Sequence, residues 1–429
     1  MREGWEIKKL VELFDVKSSK RVHKADWKTE GVPFYRAREV VKLAQNGIVD
    51  NDLFISEELF EEFTKEKGAP KEGDIIISAV GTLGQCYLVK KTDRFYFKDA
   101  SVLWFENISN VDVRYIEYAF KSDLIMKQVL NKSMGATVGT LTISRAKIIK
   151  IPIPTLSEQK QIVTILDKAF TAIDQAKANI EKNIENAKEL FQSKLNDIFS
   201  QKGDGWKENT LGEVCEKTKN IKWQDFSNEE FEYVDLSSVS RETLSVTETA
   251  TVNKENAPSR AKKIILEGDV IFATTRPTLR RATIIKEDLS GNLCSTGYVV
   301  LRPKENISSD WIFFYLLTSK FMDRMESLQR GASYPAVSDN DVKGSKLSVP
   351  ISTLEEKKNI LIMNNLQENT NFLIDNYINK LNDLEDLKKS VLQKAFAGEL
   401  TSPKGTKYKK DGSIPSAQTQ TEKSPVRVI

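Results

Sequence analysis

The sequence repeats itself after 195 to 201 residues. Four short segments recur in the same order, and their offsets drift by only a few residues, which indicates a duplication with insertions in the loops. A chain built this way can present two similar surfaces, much as a symmetric dimer would. The repeated segments are Gly4-Trp5 and Gly205-Trp206, Glu72-Gly73-Asp74 and Glu267-Gly268-Asp269, Gly135-Ala136 and Gly331-Ala332, and Thr155-Leu156 and Thr353-Leu354.

Two stretches of 44 residues, Leu156 to Phe199 and Leu354 to Ala397, carry apolar residues at steps of three and four. This spacing predicts coiled-coil helices, each roughly 66 Å long at about 1.5 Å per residue. Two such helices in one chain can bury their seams by pairing, and the short connection favours antiparallel pairing. The predicted seam is Ile162, Leu166, Ala169, Ile173, Ala176, Ile180, Ile184, Ala187, Phe191, Leu195 and Ile198, and then Met363, Leu366, Thr370, Leu373, Tyr377, Leu381, Leu384, Val391 and Ala395.

The segments outside these helices are typical of mixed α/β modules. Short β-branched runs follow turns, as at Ile75–Ile77 and Val270–Phe272, and helical spacing occurs at Val113–Leu130 and Asp310–Leu328. We therefore predict an α+β or mixed α/β fold with two similar globular modules, separated by a long antiparallel two-helix coiled coil with internal pseudo-twofold symmetry. The predicted boundaries are 1–154 and 204–352 for the modules, 155–203 and 353–400 for the helices, and 401–429 for a disordered basic tail.

Composition places few constraints on the partner. The net charge is only +3, so a DNA-binding face would require local sorting of charges. No apolar run approaches the roughly 20 residues of a membrane span. The three cysteines, which lack metal-ligand spacing, fit a reducing compartment. We expect a cytoplasmic protein without a membrane partner.

The sequence offers little for catalysis. It contains neither a Gly-x-x-x-x-Gly-Lys phosphate loop nor a Gly-x-Gly-x-x-Gly motif, and His23 is the only histidine. A histidine-based triad or a histidine-rich metal site therefore lacks its commonest ingredient. We predict that the chain has no catalytic or metal site of its own.

The strongest candidate for nucleic-acid contact is the segment Arg276 to Arg281, which follows a buried strand in the second module. A guanidinium group can bind phosphate or the O6 and N7 edge of guanine. The alternative is that these arginines pair with surface acids. The matching segment of the first module, Ala79 to Gly84, contains no arginine, so the two modules would read different sequences.

Further candidates lie on matched loops and on one basic cluster. Glycine and small hydroxyl residues after Gly135 and Gly331 would let the backbone approach DNA closely, although these segments also fit simple turns. The cluster from Lys20 to Lys24 also fits a solvated loop. The complete set of predicted DNA contacts is Lys20, Arg21, Arg36, Arg38, Thr82, Lys132, Thr137, Thr140, Arg276, Thr278, Arg280, Arg281, Arg330, Ser333 and Tyr334. Ile165, Phe170 and Phe372 are predicted to lie exposed on the helices and to bind partner helices.

From Trp5 to Leu400 the chain resembles the specificity subunit of type I restriction-modification enzymes. The resemblance rests on Ile151–Val163, which opens the first helix, on Leu392–Leu400, which closes the second, and on the doubled Gly-Trp start. It implies two target recognition domains that each read half of a bipartite sequence in double-stranded DNA, and a helical pair that sets the spacer. It also implies two methyltransferase subunits and two ATP-dependent motor-nuclease subunits as partners, with no cofactor bound by this chain.

Two other functions remain open at this point. A coiled-coil scaffold whose modules bind proteins would be compatible with the near-neutral charge and with Thr370 at a seam position. A solitary DNA-modifying enzyme is the third possibility, and the missing motifs argue against it.

Overall fold

The computed structural model describes residues 2–130, 139–226 and 229–401. By packing, the chain divides into two compact units. Unit 1 comprises Met1–Ala176 together with Asp383–Ile429, and unit 2 comprises Lys177–Asn382. Each unit therefore contains one module and a part of each long helix.

Unit 1 combines three small sheets with helices. Its elements, in chain order, are β1 (Glu6–Lys9), β2 (Phe14–Lys17), β3 (Val32–Tyr35), α1 (Ala37–Asn46), β4 (Phe54–Ile55), α2 (Glu57–Lys67), β5 (Ile75–Ser78), β6 (Cys86–Leu88), β7 (Tyr96–Phe97), β8 (Val102–Asn107), α3 (Val113–Lys121), α4 (Asp123–Leu130), α5 (Ile143–Lys147), β9 (Lys150–Ile153) and the start of the long helix α6 (Leu156–Phe199).

The central sheet of unit 1 is antiparallel, in the order β2-β8-β5-β6. A second sheet has the order β4-β3-β7, with β3 and β7 parallel, and β1 pairs with β9. Strand β5 is buried on both faces. Ile75 and Ile77 join the core of α3 and α6, whereas Ile76 joins a separate core with α1, because side chains alternate along a strand.

Unit 2 repeats this construction. Its elements are the end of α6, β10 (Trp206–Thr210), α7 (Leu211–Val214), β11 (Phe231–Val234), β12 (Ala250–Val252), β13 (Ala261–Ile264), β14 (Val270–Ala273), β15 (Ala282–Ile284), β16 (Leu293–Ser295), β17 (Tyr298–Leu301), α8 (Ser309–Leu316), α9 (Ser319–Leu328), α10 (Asp339–Lys343), β18 (Lys346–Pro350) and the start of α11 (Thr353–Ala397).

Most strand pairings of unit 2 match those of unit 1, although β2 has no counterpart among the described strands. The order β15-β14-β17 corresponds to β6-β5-β8, the parallel pair β11 and β16 to β3 and β7, and the pair β10 and β18 to β1 and β9. Strand β13 pairs with β16 and extends the second sheet. The duplication inferred from the sequence is thus a duplication of topology.

The long helices pack antiparallel within each unit. In unit 1 the start of α6 shares a buried cluster with the end of α11, including Ile162, Leu166 and Leu392, and Lys388 pairs with Asp174 at 3.4 Å. In unit 2 the end of α6 and the start of α11 meet in the same way, through residues such as Leu195 and Met363. Among the described helices none is long and apolar enough to cross a membrane.

The structure corrects three details of the predicted elements. Val113–Leu130 and Asp310–Leu328 are each two helices, because Ser122 and Thr318 adopt extended or capping conformations that start a new helix. Leu373 is exposed, whereas its neighbour Ile374 is half-buried, so the seam changes phase after Thr370. The boundaries of the predicted functional domains stay a prediction.

Candidate nucleic-acid interface

Two loops of unit 2 are joined by backbone hydrogen bonds. The first, residues 274–281, connects β14 to β15, and the second is residues 330–337. The amide of Arg276 donates to the carbonyl of Pro335 at 2.7 Å, and that of Val337 donates to Thr274 at 2.9 Å. We call these two segments loop pair 2. The two loops are thus held together by main-chain bonds, which do not use their side chains.

Seven predicted residues lie on loop pair 2, and two of them, Arg276 and Tyr334, are in contact. The guanidinium carbon of Arg276 lies 5.1 Å from the ring centroid of Tyr334, and that ring is 72% exposed. Stacking holds the guanidinium plane by cation–π attraction and leaves its N–H edge available. Arg330 lies exposed 3.5 Å from Asp341, and Ser333 is exposed on the same loop.

The other two arginines of the segment have different surroundings. Arg281 donates through Nη1 to the main-chain carbonyl of Leu236, so it ties β15 to the segment after β11. Arg280 donates through Nη1 to Oε1 of Gln192 on α6 at 3.3 Å. Thr278 is exposed on the same loop. The prediction treated the arginines as one group, but the structure directs only Arg276 towards Tyr334.

Arg276 and Arg280 both adopt the left-handed backbone conformation, with φ of 50° and 55°. A non-glycine residue in this region costs about 1–3 kcal/mol. Such strain persists where the surrounding structure enforces it, and it is concentrated at functional sites. The strained backbone therefore marks this loop independently of its charge.

Unit 1 contains the corresponding turn, one residue shorter and without arginine. Leu141 donates to Ala79 at 2.8 Å, as Val337 does to Thr274, and these segments, 79–85 and 139–141, form loop pair 1. The two left-handed positions are Gly81, with φ of 69°, and Gly84, with φ of 78°. Thr82 is exposed, and Thr140 forms a bridge with Val80. The predicted contacts Lys132 and Thr137 lie outside the described residues.

The four predicted basic residues of unit 1 that the structure describes have acidic partners. Lys20 pairs with Glu62 and Glu66, and Arg21 pairs with Asp99. Charges that are already paired bind phosphate less strongly, because a ligand must displace the acids. These residues stay predicted contacts.

Arg36 and Arg38 converge on Glu39 and Asp52 at the start of α1. Burial of the Glu39 carboxylate opposes its ionisation, but hydrogen bonds from Arg36 and Arg38 outweigh this and lower its pKa below the ordinary value. The cluster is therefore a locally neutralised network that fixes the start of the helix. Like Lys20 and Arg21, the two arginines stay predicted DNA contacts.

The predicted partner-binding residues divide into two groups. Ile165 is 36% exposed and Phe372 is 71% exposed, as expected for contact residues. The expectation that Phe170 is exposed was wrong, since only 7% of it is accessible. Its ring packs edge-on against Tyr118 at 5.4 Å, and the ammonium of Lys388 lies above it at 4.8 Å. Its position on α6 faces α3.

The prediction missed one basic surface of unit 2. The segment 217–222 runs beside β13, since the amide of Ile221 donates to Lys262 at 2.8 Å. Five exposed cations therefore collect at one edge of this sheet, and their type fits phosphate contact. The sequence signal was a Lys-x-Lys-x-x-Lys run followed later by Arg-x-Lys. The residues are Lys217, Lys219, Lys222, Arg260 and Lys262.

A duplicated α/β module with an exposed, stacked arginine and a basic sheet edge defines a class of two-module nucleic-acid readers. The family model described as "Type I restriction modification DNA specificity domain" matches residues 2–186 and 203–394. The chain belongs to this family, and its role is that of a DNA specificity subunit.

Individual relatives agree with this assignment. A putative type I restriction enzyme specificity subunit of Haemophilus influenzae is 32% identical over 192 residues, covering 44% of this chain and 46% of that protein. The MjaVIII specificity subunit of Methanocaldococcus jannaschii is 23% identical over 423 residues, covering 93% of each.

Two solved structures share the fold. A chain from a type I restriction-modification system, studied for complex assembly and conformational transition, has a TM-score of 0.73 at 17% identity and covers 93% of this chain and 99% of that chain. The HsdS subunit from Thermoanaerobacter tengcongensis has a TM-score of 0.60 at 17% identity, covering 93% and 98%.

Proposed function

We propose that each α/β module reads one half of a bipartite DNA target and that Arg276 reads guanine in the second half. The observation that carries this proposal is the exposed guanidinium of Arg276 stacked on Tyr334. A guanidinium held in one plane is suited to donate two parallel hydrogen bonds to O6 and N7 of guanine in the major groove. Tyr334 removes much of the entropy that a free arginine would lose on binding.

Phosphate contacts would hold the second module on the DNA, so that Arg276 reaches its base. Arg330 and the five cations of the basic sheet edge are exposed and belong to the same unit. They supply affinity without sequence preference, whereas Arg276 supplies discrimination. This division of roles predicts that the two groups respond differently to salt.

The two long helices set the number of unread base pairs between the half-sites and dock methyltransferase subunits. Exposed apolar residues on α11, such as Leu361 and Phe372, and Ile165 on α6 support docking of other helices. In the complete assembly, two methyltransferase and two ATP-dependent motor-nuclease subunits carry out the chemistry in the cytoplasm. This chain contributes recognition and no catalytic group.

Selection from random DNA tests the proposal. The full chain, purified with its methyltransferase partner, is incubated with a randomised duplex, and bound molecules are sequenced. We expect two unlike short motifs at a fixed separation. The motif that disappears when Arg276 is replaced by alanine should contain at least one guanine. Enrichment of one continuous motif would contradict it.

The competing function is a scaffold whose modules bind proteins. The match of both modules to DNA specificity domains favours DNA. Binding of a protein partner by an isolated loop pair, together with failure to enrich any DNA sequence, would favour the scaffold instead.

A further inference from the structure

A cleft of about 980 Å³ lies in unit 1, where the end of α11 meets α4 and strands β1 and β9. Four lysines line it, namely Lys121, Lys127, Lys150 and Lys389, with Asp123 as the one acid of its lining. We call it the lysine cleft. Two of these lysines are already paired with acids outside the lining, Lys121 with Glu117 at 2.6 Å and Lys389 with Asp386 at 2.9 Å, so the positive charge of the cleft comes mainly from Lys127 and Lys150.

The floor of the lysine cleft is apolar. Ile7 and Leu124 are each 47% exposed there, and Phe396 forms the buried base. Two large aliphatic side chains facing solvent beside a basic rim form a typical protein interaction surface, because an apolar centre is enclosed by charge.

The corresponding surface of unit 2 is polar. Ile7 lies opposite Pro152 in its strand pair, and Glu208 lies opposite Ser348. Pro152 and Ser348 are equivalent, since their carbonyls accept the side-chain hydrogen bonds of Tyr115 and Trp311 from matching helices. Glu208 thus occupies the place of Ile7.

A second pair of equivalent positions is likewise apolar in unit 1 and charged in unit 2. Leu124 is the second residue of α4, and Lys320 is the second residue of α9. Lys346 begins β18 as Lys150 begins β9, and it pairs with Glu208 at 3.1 Å. The hydrogen bond from Lys346 lowers the pKa of Glu208. Unit 2 therefore neutralises its own charges, whereas Ile7 offers Lys150 no carboxylate.

The long helices also close this junction in unit 2. Gln192 on α6 donates to the carbonyl of Leu317 at 3.0 Å, and Asn196 accepts from the amide of Ser319 at 3.0 Å. These bonds fasten α6 to the start of α9.

The equivalent positions on α11 are Lys389 and Gln393. The equivalence follows from Phe396, which packs on Tyr115 at 5.2 Å as Phe199 packs on Trp311 at 4.6 Å. Lys389 and Gln393 are exposed, and Lys389 bonds to Asp386 of its own helix at 2.9 Å. Among the described residues, these two positions make no hydrogen bond to α4 like those that fasten α6 to α9 in unit 2.

We propose that the lysine cleft binds an acidic, amphipathic segment of another protein chain. Apolar side chains of the segment cover Ile7 and Leu124, and its carboxylates meet the lysine rim. Since the matching surface of unit 2 is polar and self-paired, one such segment binds per chain. DNA fits less well, because phosphates offer nothing to the apolar floor.

Site-specific crosslinking tests this inference, which rests on the proposed function for its partner subunits. The photoreactive residue p-benzoylphenylalanine replaces Leu124 in the full chain assembled with its methyltransferase subunits and target DNA. The matched control carries it in place of Lys320. We expect Leu124, and not Lys320, to give a crosslink to a peptide rich in Asp and Glu.

Charge reversal gives the second readout. The double variant Lys127→Glu with Lys150→Glu should lower the crosslink yield about tenfold, because both cations are exposed and face the segment. Lysine substitutions in the crosslinked acidic segment should restore it. The control Lys320→Glu should leave it unchanged.

Three results would overturn the inference: a crosslink to DNA, a crosslink to a segment without acids, or a yield equal to that of the control. DNA selection on the same preparation separates this outcome from failure of the proposed function. If DNA selection yields a bipartite target but the crosslink does not form, the proposed DNA reading stands and the lysine cleft is not a binding site for such a segment.

Discussion

Loop pair 1 and loop pair 2 occupy equivalent places in the two modules and differ in the residues that they display. Both turns have two left-handed positions, occupied by Gly81 and Gly84 in unit 1 and by Arg276 and Arg280 in unit 2. Glycine adopts this conformation without steric cost, whereas arginine does not. Unit 2 thus retains side chains that its own backbone disfavours.

The difference indicates how a duplicated scaffold acquires two specificities. The hydrogen bonds that hold each loop pair involve main-chain atoms, so side chains can change without loss of the turn. Unit 1 presents Thr82 and a bare backbone, and unit 2 presents a stacked guanidinium. Each loop pair would then recognise its own half-site, and the following experiments probe that independence.

Shortening both long helices should have the largest effect. Deleting seven residues from each removes about 10 Å of helix and keeps the heptad phase. We expect DNA selection to yield the same two half-sites with a shorter gap, or binding to be abolished. An unchanged gap would refute the role of the helices in spacing.

The buried acids of the two modules should differ in their importance for stability. Asp269 accepts two hydrogen bonds from Arg302, both at 2.8 Å, whereas Asp74 accepts from Trp104 at 2.9 Å and from main-chain amides. Asp269→Ala should lower the free energy of unfolding by about 3–5 kcal/mol, since it leaves Arg302 unpaired.

The control Asp74→Ala should cost about 1–3 kcal/mol, because neutral donors lose their acceptor. Denaturant unfolding of the two variants measures both values. An equal cost would show that the charge of Arg302 adds nothing to the second module.

Removing the guanidinium of Arg276 should affect one half-site only. Arg276→Ala should lose about 1–3 kcal/mol of discrimination at one guanine, measured by titration with duplexes that differ at that base pair. A uniform loss on all duplexes, with a shallower dependence on salt, would make Arg276 a phosphate contact. An unchanged affinity would leave it without a role in binding.

Giving loop pair 2 the glycine of loop pair 1 should separate stability from binding. Arg276→Gly relieves the left-handed strain, so we expect the free energy of unfolding to rise by up to about 1 kcal/mol while guanine discrimination falls. The comparison variant is Arg330→Gly, which also replaces an exposed arginine by glycine but at a position whose backbone is not left-handed. A fall in stability for Arg276→Gly would mean that the stacking on Tyr334 outweighs the strain.

The charge network of unit 1 should give the smallest effect, and it depends on pH. The pKa of Glu39 is lowered in the folded state, so its contribution is present above the unfolded value of about 4.3 and is lost as pH falls through the folded value. Wild type and Glu39→Gln should therefore differ most in thermal stability near neutral pH and converge in acid. A constant difference across this range would contradict the assignment.

The features predicted well from sequence are local ones. Helix α6 runs from Leu156 to Phe199, as its heptad spacing and its capping threonine predicted. The repeated Glu-Gly-Asp turns do precede buried strands. Such signals lie within a few residues of the structure that they encode, so a single sequence is sufficient to read them.

The features that were missed depend on contacts between distant residues. Arg276 and Tyr334 meet because two loops are bridged, and Arg281 donates to the carbonyl of Leu236, a residue far from it in the sequence. The period of α6 did not reveal that Phe170 faces α3 instead of solvent. Glu62 and Glu66, the acids that pair with Lys20, likewise become its neighbours only in the folded module.

The most direct test compares DNA selection by the wild-type chain and by Arg276→Gly, each in complex with the methyltransferase subunits proposed above. The account predicts two unlike motifs at one fixed gap for both proteins, with the preference for guanine lost in only one motif of the variant. A change in both motifs, or a single continuous site for the wild type, would contradict it.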